Sequence, residues 1–199
     1  LFRADALNPG PEGLRRLLGM YRELKDFGRA LRAAKALTAR SPQDADVWLE
    51  QAELALKIGD RNLARESLAR AEALKPGVEG LRRLLGMYQE LKDFSRALGV
   101  VKGMTARSPE DAGVWVEQAK LALQAGEREL ARRSLDQAVR LKPNGGDRRS
   151  MALLYQDLGR CDLAIKILDQ LLSENPREAS LLSDKGICES LGGFSQQAV

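Results

Sequence analysis

Arg15, Arg82 and Arg149 stand 67 residues apart, and Cys161 and Cys188 are the two thiols in a chain of 199 residues. Guanidinium groups bind carboxylates through paired hydrogen bonds, so a row of arginines suits an acidic partner rather than a reaction. The sequence contains no His. That removes the imidazole base, the Ser-His-Asp and Cys-His pairs, and His-ligated zinc. Two Cys cannot make a four-thiolate metal site or a disulfide framework. Gly145-Gly146 and Gly192-Gly193 read as turn glycines, since no GxGxxG or Walker pattern surrounds them. No catalytic residue, metal site or cofactor is expected.

Composition narrows the class further. Charged residues make up 30% and hydrophobic ones 44%, which suits a soluble globular chain. Aromatics are 5%, low for a sheet protein and ordinary for an Ala/Leu-rich helical one. A net charge of +4 spread over both signs gives little ground for nucleic acid or an anionic membrane as partner. No apolar run approaches the roughly 18 residues of a membrane span, and no signal-peptide pattern opens the sequence.

Internal repetition decides the elements that must position these side chains. Glu12 to Phe27, EGLRRLLGMYRELKDF, returns as EGLRRLLGMYQELKDF from Glu79 to Phe94. The same offset of 67 links Trp48 to Trp115, Pro42 to Pro109, Pro76 to Pro143 and Ala97 to Ala164. Residues 1–10 match residues 68–77, so the whole chain is one repeating object. Each unit divides again near its middle. Trp48, Ala52 and Ala55 share a helical face at i, i+4 and i+7; Gly59-Asp60 breaks the chain; Ala64, Leu68 and Ala71 form a second stripe. Pro76 ends the unit, with Lys75 expected in the last helical turn, where a cation suits the dipole. The copy reads Trp115, Ala119, Ala122, Gly126-Glu127, Ala131, Leu135, Ala138 and Pro143. Small Ala at the crossing lets two helices approach closely while Trp and Leu fill the remaining space.

At these residues the chain resembles the tetratricopeptide repeat family over essentially its full length. The resemblance implies an all-α fold: an α-solenoid, a right-handed superhelix of antiparallel helix pairs, in which each pair touches mainly its neighbours. One departure matters. Gly19 and Gly86 stand two residues before Tyr21 and Tyr88, where the family pattern leaves one more, so two registers one residue apart are open for these helices. Full repeats are expected at 11–44, 45–77, 78–111, 112–144 and 145–178, with the end of a preceding repeat at 1–10 and a partial repeat at 179–199. Neither end supplies the polar cap of a complete array, so a cut from a longer protein is expected.

The resemblance also implies a site. First helices of such pairs line a concave side on which partner peptides lie. That side should carry Arg15 or Arg16, Arg22, Arg82 or Arg83, and Arg149. The intervening first helices should present Leu49, Leu56, Val116 and Leu123, with Glu53 and Lys120 between the apolar pairs. Alternating guanidinium and apolar strips suit a partner segment with both carboxylates and aliphatic side chains. Two plainer readings stand beside this one: the arginines as a solvated face, and the leucines as packing between repeats. The Lys, Asn and Arg clamp of chaperone-binding members has no counterpart, because Gly19, Gly86, Glu53 and Lys120 occupy the relevant helices. Nor is there an asparagine ladder; Asn8, Asn62, Asn144 and Asn175 fall at helix ends or loops.

Cys161 should start a second helix and Cys188 should lie late on the next first helix. Antiparallel neighbours bring these regions together, which leaves a disulfide and two part-buried free thiols both open. The function expected is a non-catalytic scaffold that binds another protein or peptide. In style the array is similar to those of bacterial envelope and exopolysaccharide-export proteins, which implies a periplasmic setting. The alternatives are a regulatory or substrate-recruiting segment of a larger enzyme, and self-association through uncapped ends.

Overall fold

The computed structural model describes residues 9–196. The segment 1–8, expected to end a preceding repeat, lies outside the described residues. Eleven helices and no strand occur among the described residues. They are α1 (Pro11–Glu23), α2 (Phe27–Arg40), α3 (Ala45–Lys57), α4 (Arg61–Ala73), α5 (Val78–Glu90), α6 (Phe94–Arg107), α7 (Ala112–Gln124), α8 (Arg128–Arg140), α9 (Gly145–Asp157), α10 (Cys161–Glu174) and α11 (Ala179–Gln196). They fall into two compact units that divide between Asp93 and Phe94.

The turns inside the pairs follow one design. After α1 the backbone N–H of Lys25 donates to the Arg22 carbonyl at 3.0 Å, and that of Asp26 to the Tyr21 carbonyl at 2.9 Å. These two bonds satisfy carbonyls that the helix end leaves unpaired, and they require a left-handed residue between them. The same pair of bonds closes α3, α5, α7 and α9. Gly59, Gly126 and Gly159 hold the left-handed position at φ 81°, 81° and 76°, whereas Lys25 and Lys92 hold it at 55° and 56°. The next residue is already the cap of the following helix: Asp26 accepts from Arg29 N–H and Asp60 from Leu63 N–H, both at 3.0 Å. Three residues thus reverse the chain. Lys75 differs from expectation. It stands beyond α4 with φ 51°, so it serves as a left-handed terminator and not as a cation within the last turn. The paired glycines also differ. Gly145 and Gly146 form the first turn of α9, where Asn144 caps the Asp147 N–H at 2.9 Å, and Gly192 and Gly193 lie within α11.

In the first unit α2 packs on α1 and α3, and α3 on α4 and α5. Ala30, Ala34, Ala52, Ala55, Ala64 and Ala71 are fully buried at these crossings. The register of α1 and α5 is settled by burial. Leu14, Leu17, Leu18 and Tyr21 face inward, as do Leu81, Leu84, Leu85 and Tyr88. Leu18 therefore occupies the position that Ala52 holds in α3, and Gly19 and Gly86 look outward: beyond their own helix backbone and chain neighbours, no atom of the described residues lies within 4 Å of where a Cβ would stand.

A polar chain runs through the packed layers. Thr38 Oγ1 on α2 donates to Gln51 Oε1 on α3 at 2.9 Å. Gln51 Nε2 donates to Ser67 Oγ on α4 at 2.9 Å, and the Ser67 hydroxyl donates to the Leu63 carbonyl at 2.7 Å. All three side chains are buried. The second unit repeats the chain through Thr105, Gln118 and Ser134 at 3.0 and 2.9 Å. Each Trp pins the loop before its helix: Trp48 and Trp115 donate from Nε1 to the carbonyls of Pro42 and Pro109, both at 2.9 Å.

The lysines in left-handed turns give a stability prediction. A left-handed L-residue costs about 1–2 kcal/mol, and the extra freedom of glycine in the unfolded chain returns part of that. Lys25→Gly and Lys92→Gly should each stabilise by about 0.5–1 kcal/mol, read as a higher urea midpoint at unchanged slope. A lower midpoint would contradict this account of the turns.

Candidate partner-binding face

The first helices of the first unit meet at one carboxylate. Glu53 on α3 accepts from Arg83 Nε and Nη2 on α5 at 3.0 and 2.8 Å, and from Arg22 Nη2 on α1 at 3.3 Å. Arg83 also reaches Asp46 at 3.4 Å. Arg15 Nη2 sits 2.7 Å from an Asp44 oxygen in the cap of α3. These ion pairs are solvent-accessible, with 28% of the Glu53 side chain exposed. Each contributes little to stability. They orient the guanidinium groups across three helices.

Behind them lies Glu50, one turn before Glu53. Its Oε2 is buried and makes no hydrogen bond. Burial raises its pKa above the usual carboxylate value; the charges of Arg22, Arg15 and Arg83 oppose the shift, and Glu53 adds to it.

The structure sorts the residues expected on this face. Arg15 and Arg22 are exposed and engaged with acids of α3 or its cap. Arg82 is exposed, while the residue joined to Glu53 is its neighbour Arg83. Leu56 and Leu123 are half-buried and reach the surface. Leu49 has 0% of its surface exposed and Val116 6%, so neither presents a strip to a partner. Leu49 instead packs toward α5, with its Cδ1 3.5 Å from where a Gly80 Cβ would be. The helix expected to offer that leucine outward turns it inward, toward the neighbouring first helix α5 on which α3 packs.

The second unit carries a different face. Lys120 replaces Glu53 at the equivalent place and is exposed, 3.6 Å from Glu117 on the same helix. Arg149 on α9 is bound to Asp184 on α11 at 3.0 Å and lies 3.8 Å from Glu178. Beside it Arg148 holds Glu174 through two bonds of 2.9 and 2.7 Å, which keeps the Glu174 carboxyl below its usual range. Asp44, Asp46, Glu50 and Asp184 are absent from the residues expected on this face, whereas Arg83 stood open beside Arg82. Their signal was present in part: Asp46, Glu50 and Glu53 follow one another at helical spacing.

No group of three or more His, Cys, Asp or Glu able to hold a metal ion occurs among the described residues. No described helix is long and apolar enough to cross a membrane.

Short antiparallel helix pairs, fixed three-residue turns and an accessible first-helix face define an α-helical repeat array. The comparisons are specific. The tetratricopeptide repeat profile matches residues 21–79 and 87–146, and a second tetratricopeptide repeat profile matches 150–177. The chain belongs to the tetratricopeptide repeat family. It is 32% identical over 94 residues, 47% of this chain, to the TPR repeat-containing protein YpiA of Bacillus subtilis, covering 21% of that protein. Across three curated relatives the chain covers between 15% and 24% of their length. Among solved structures, a tetratricopeptide repeat protein from Parabacteroides merdae aligns at TM-score 0.71 and 19% identity, over 94% of this chain and 75% of that one. MamA from Desulfovibrio magneticus RS-1 aligns at TM-score 0.63 and 16% identity, over 85% of this chain and 97% of that one. The fold is thus an all-α solenoid of antiparallel helix pairs.

The raised pKa of Glu50 has a signed consequence. Ionisation is disfavoured in the folded state, so the charge costs stability above the folded pKa, and the cost disappears as falling pH protonates the group. Glu50→Gln should therefore melt above the parent chain near neutral pH, and the gap should close on the acid side of the carboxylate range. Thermal melts followed by circular dichroism across that range check it; a parent chain that melts higher at neutral pH contradicts it.

Proposed function

We propose that this chain is a non-catalytic protein-interaction scaffold that docks a partner protein or peptide on its first-helix face. The observation that carries the proposal is the placement of Gly19 and Gly86. Gly19 shares a face with Arg15 and Arg22, and Gly86 with Arg82 and Arg83, at spacings of three and four residues. A glycine inside a helix costs about 0.5–1 kcal/mol relative to alanine. Among the described residues nothing fills the space it leaves at either position. The fold gains nothing from these glycines, whereas a partner segment gains room to approach the helix backbone between arginines. The partner that fits carries carboxylates for Arg15, Arg22 and Arg82, and aliphatic side chains against Leu56. Lys120, Leu123 and Arg149 form the corresponding surface of the second unit, and the buried Leu49 and Val116 support these faces from beneath.

The setting we favour is a bacterial envelope or exopolysaccharide-export assembly, in the periplasm. Its support is the Ala/Arg/Leu-rich style of the array, in keeping with bacterial proteins such as YpiA and MamA among the similar ones. The second reading is a regulatory or substrate-recruiting segment of a larger enzyme. It is favoured by the small share of its relatives' length that the chain covers. The full-length gene separates them: a signal peptide or outer-membrane barrel favours the first, and a catalytic domain the second.

Affinity capture from the source organism supplies the partner, and a charge-reversal variant tests the face. Arg15→Glu combined with Arg82→Glu should weaken binding of the captured partner by about tenfold or more, while helicity and melting stay unchanged. Equal binding by the double variant would reject this face as the docking site.

A further inference from the structure

A cavity of about 270 Å³ opens in the second unit between the end of α8 and the helices α9 and α10. Val139, Met151 and Ile167 give it apolar walls, and Lys142, Arg148 and Gln170 are its polar ones. No acid lines it. Lys142 is exposed and makes no ion pair among the described residues. Arg148 is out of keeping with the fold. One and two repeats of 67 earlier stand Leu81 and Leu14, both buried core residues. Arg148 takes their place with 24% of its side chain exposed. Glu174 holds Nη1 and Nη2, whereas Nε is buried and makes no hydrogen bond. A leucine there would bury more apolar surface and leave no donor without an acceptor, so folding is not served by the arginine. The first unit holds a matching cavity of about 280 Å³. Pro9, Leu17, Ala33 and Ala36 line it at the places of Pro143, Met151, Ile167 and Gln170. Its lining also lacks an acid, and its cations are Arg29, Arg32 and Arg40 of α2. The two cavities share apolar walls and a cationic rim although different positions supply the charge.

We propose that the cavity of the second unit is a docking site distinct from the first-helix face, and that it takes an aliphatic side chain flanked by carboxylates on a segment of a partner protein. The volume lies below the roughly 300–1,000 Å³ of pockets for drug-sized ligands, so one or two side chains fill it. A leucine of the partner enters between Val139 and Ile167 with Met151 beneath, and half of the Val139 surface is exposed to receive it. The neighbouring carboxylates meet Lys142 and the guanidinium of Arg148, two cations with no acid between them. Glu174 fixes the direction of the Arg148 side chain, which lowers the ordering cost of recognition. The Gln170 amide stands at the rim for a backbone group of the partner. Because the charge sits beside an apolar wall, neither an acidic segment nor an apolar one alone matches the site.

The test titrates the full chain with the blocked peptide acetyl-Asp-Leu-Glu-amide and follows the methyl signals of Val139, Met151 and Ile167 by NMR. These should shift and saturate with a Kd near or below about 1 mM. Acetyl-Asn-Leu-Gln-amide, without charge, and acetyl-Asp-Ser-Glu-amide, without the aliphatic group, should each bind at least about fivefold more weakly. Two variants keep the fold. Lys142→Gly removes a cation where the backbone is already left-handed at φ 54°, and Arg148→Leu restores the residue of the other copies. Each should melt no lower than the parent chain and lose the preference for the charged peptide. The methyl signals of Leu56 and Leu123 report the first-helix face separately, so the two sites fail independently. Saturable shifts confined to Leu56 and Leu123 would overturn the proposal, as would equal binding of all three peptides or an unaltered preference in both variants. Hexanoate that saturates the cavity while the charged peptide leaves it unshifted would also overturn it, in favour of a small carboxylic acid.

Discussion

Close approach of helix axes at alanine is the constraint from which the rest of this structure follows. A 13-residue amphipathic helix cannot bury its stripe alone, and in water helices this short are marginal. They persist because each lies between neighbours. Ala30, Ala34, Ala52, Ala55, Ala64 and Ala71 let three successive helices come near enough to exclude water from both sides of α3, and Ala97, Ala119, Ala122, Ala131 and Ala138 do the same around α7. That proximity sets terms for everything polar in between. Gln51 could not be tolerated there unpaired, since a buried amide without partners costs on the order of 1–3 kcal/mol. It is tolerated because Thr38 and Ser67 are held at hydrogen-bonding distance on either side. The bonded chain in turn admits one register, because a slip of one residue would carry the amide away from both partners. The tight turns complete the same requirement, placing the cap of each second helix one residue beyond the left-handed stop of the first.

The candidate face is the outer consequence of that inner order. With α3 locked by Gln51, its opposite side presents Glu53 to arginines on α1 and α5. Exposed ion pairs of this kind add little to folding, and a carboxylate brought by a partner meets little resistance when it exchanges for one of them. They hold long side chains in defined directions, which lowers the ordering cost of recognition. Gly19 and Gly86 work in the opposite sense, leaving bare backbone between the charged groups.

Much of the fold could be read in the residues because the information was local and duplicated. The recurrence of Trp48, Ala52, Ala55 and Pro76 at Trp115, Ala119, Ala122 and Pro143 states the helix pair twice. What could not be read depended on neighbours. Leu49 looks like a surface leucine on its own helix, and only the packing of α5 against α3 shows that it is core. Arg82 and Arg83 could not be separated while two registers of α5 stood open, and the position of Glu53 on α3 selects Arg83. Lys75 resembles a helix-terminal cation, and its left-handed backbone belongs to a position usually given to glycine. The Thr38, Gln51 and Ser67 chain was visible in principle, as three polar residues recurring at Thr105, Gln118 and Ser134 inside otherwise apolar stripes.

The two copies differ where packing does not dictate the residue. Inside, Thr, Gln and Ser repeat unchanged, as do the Trp that pins each loop and the alanines of α3 and α7. Outside, Glu53 becomes Lys120 and Arg83 becomes Ser150, so the Arg22–Glu53–Arg83 bridge has no equivalent; Lys120 turns to Glu117 on its own helix and Arg149 to Asp184 on α11. A substitution in the buried chain strands a hydrogen-bonding group, whereas a charge reversal on an exposed first helix needs only a new nearby partner. Repeats of this construction can therefore vary the charge pattern they present from one unit to the next while the helix pairs beneath remain the same.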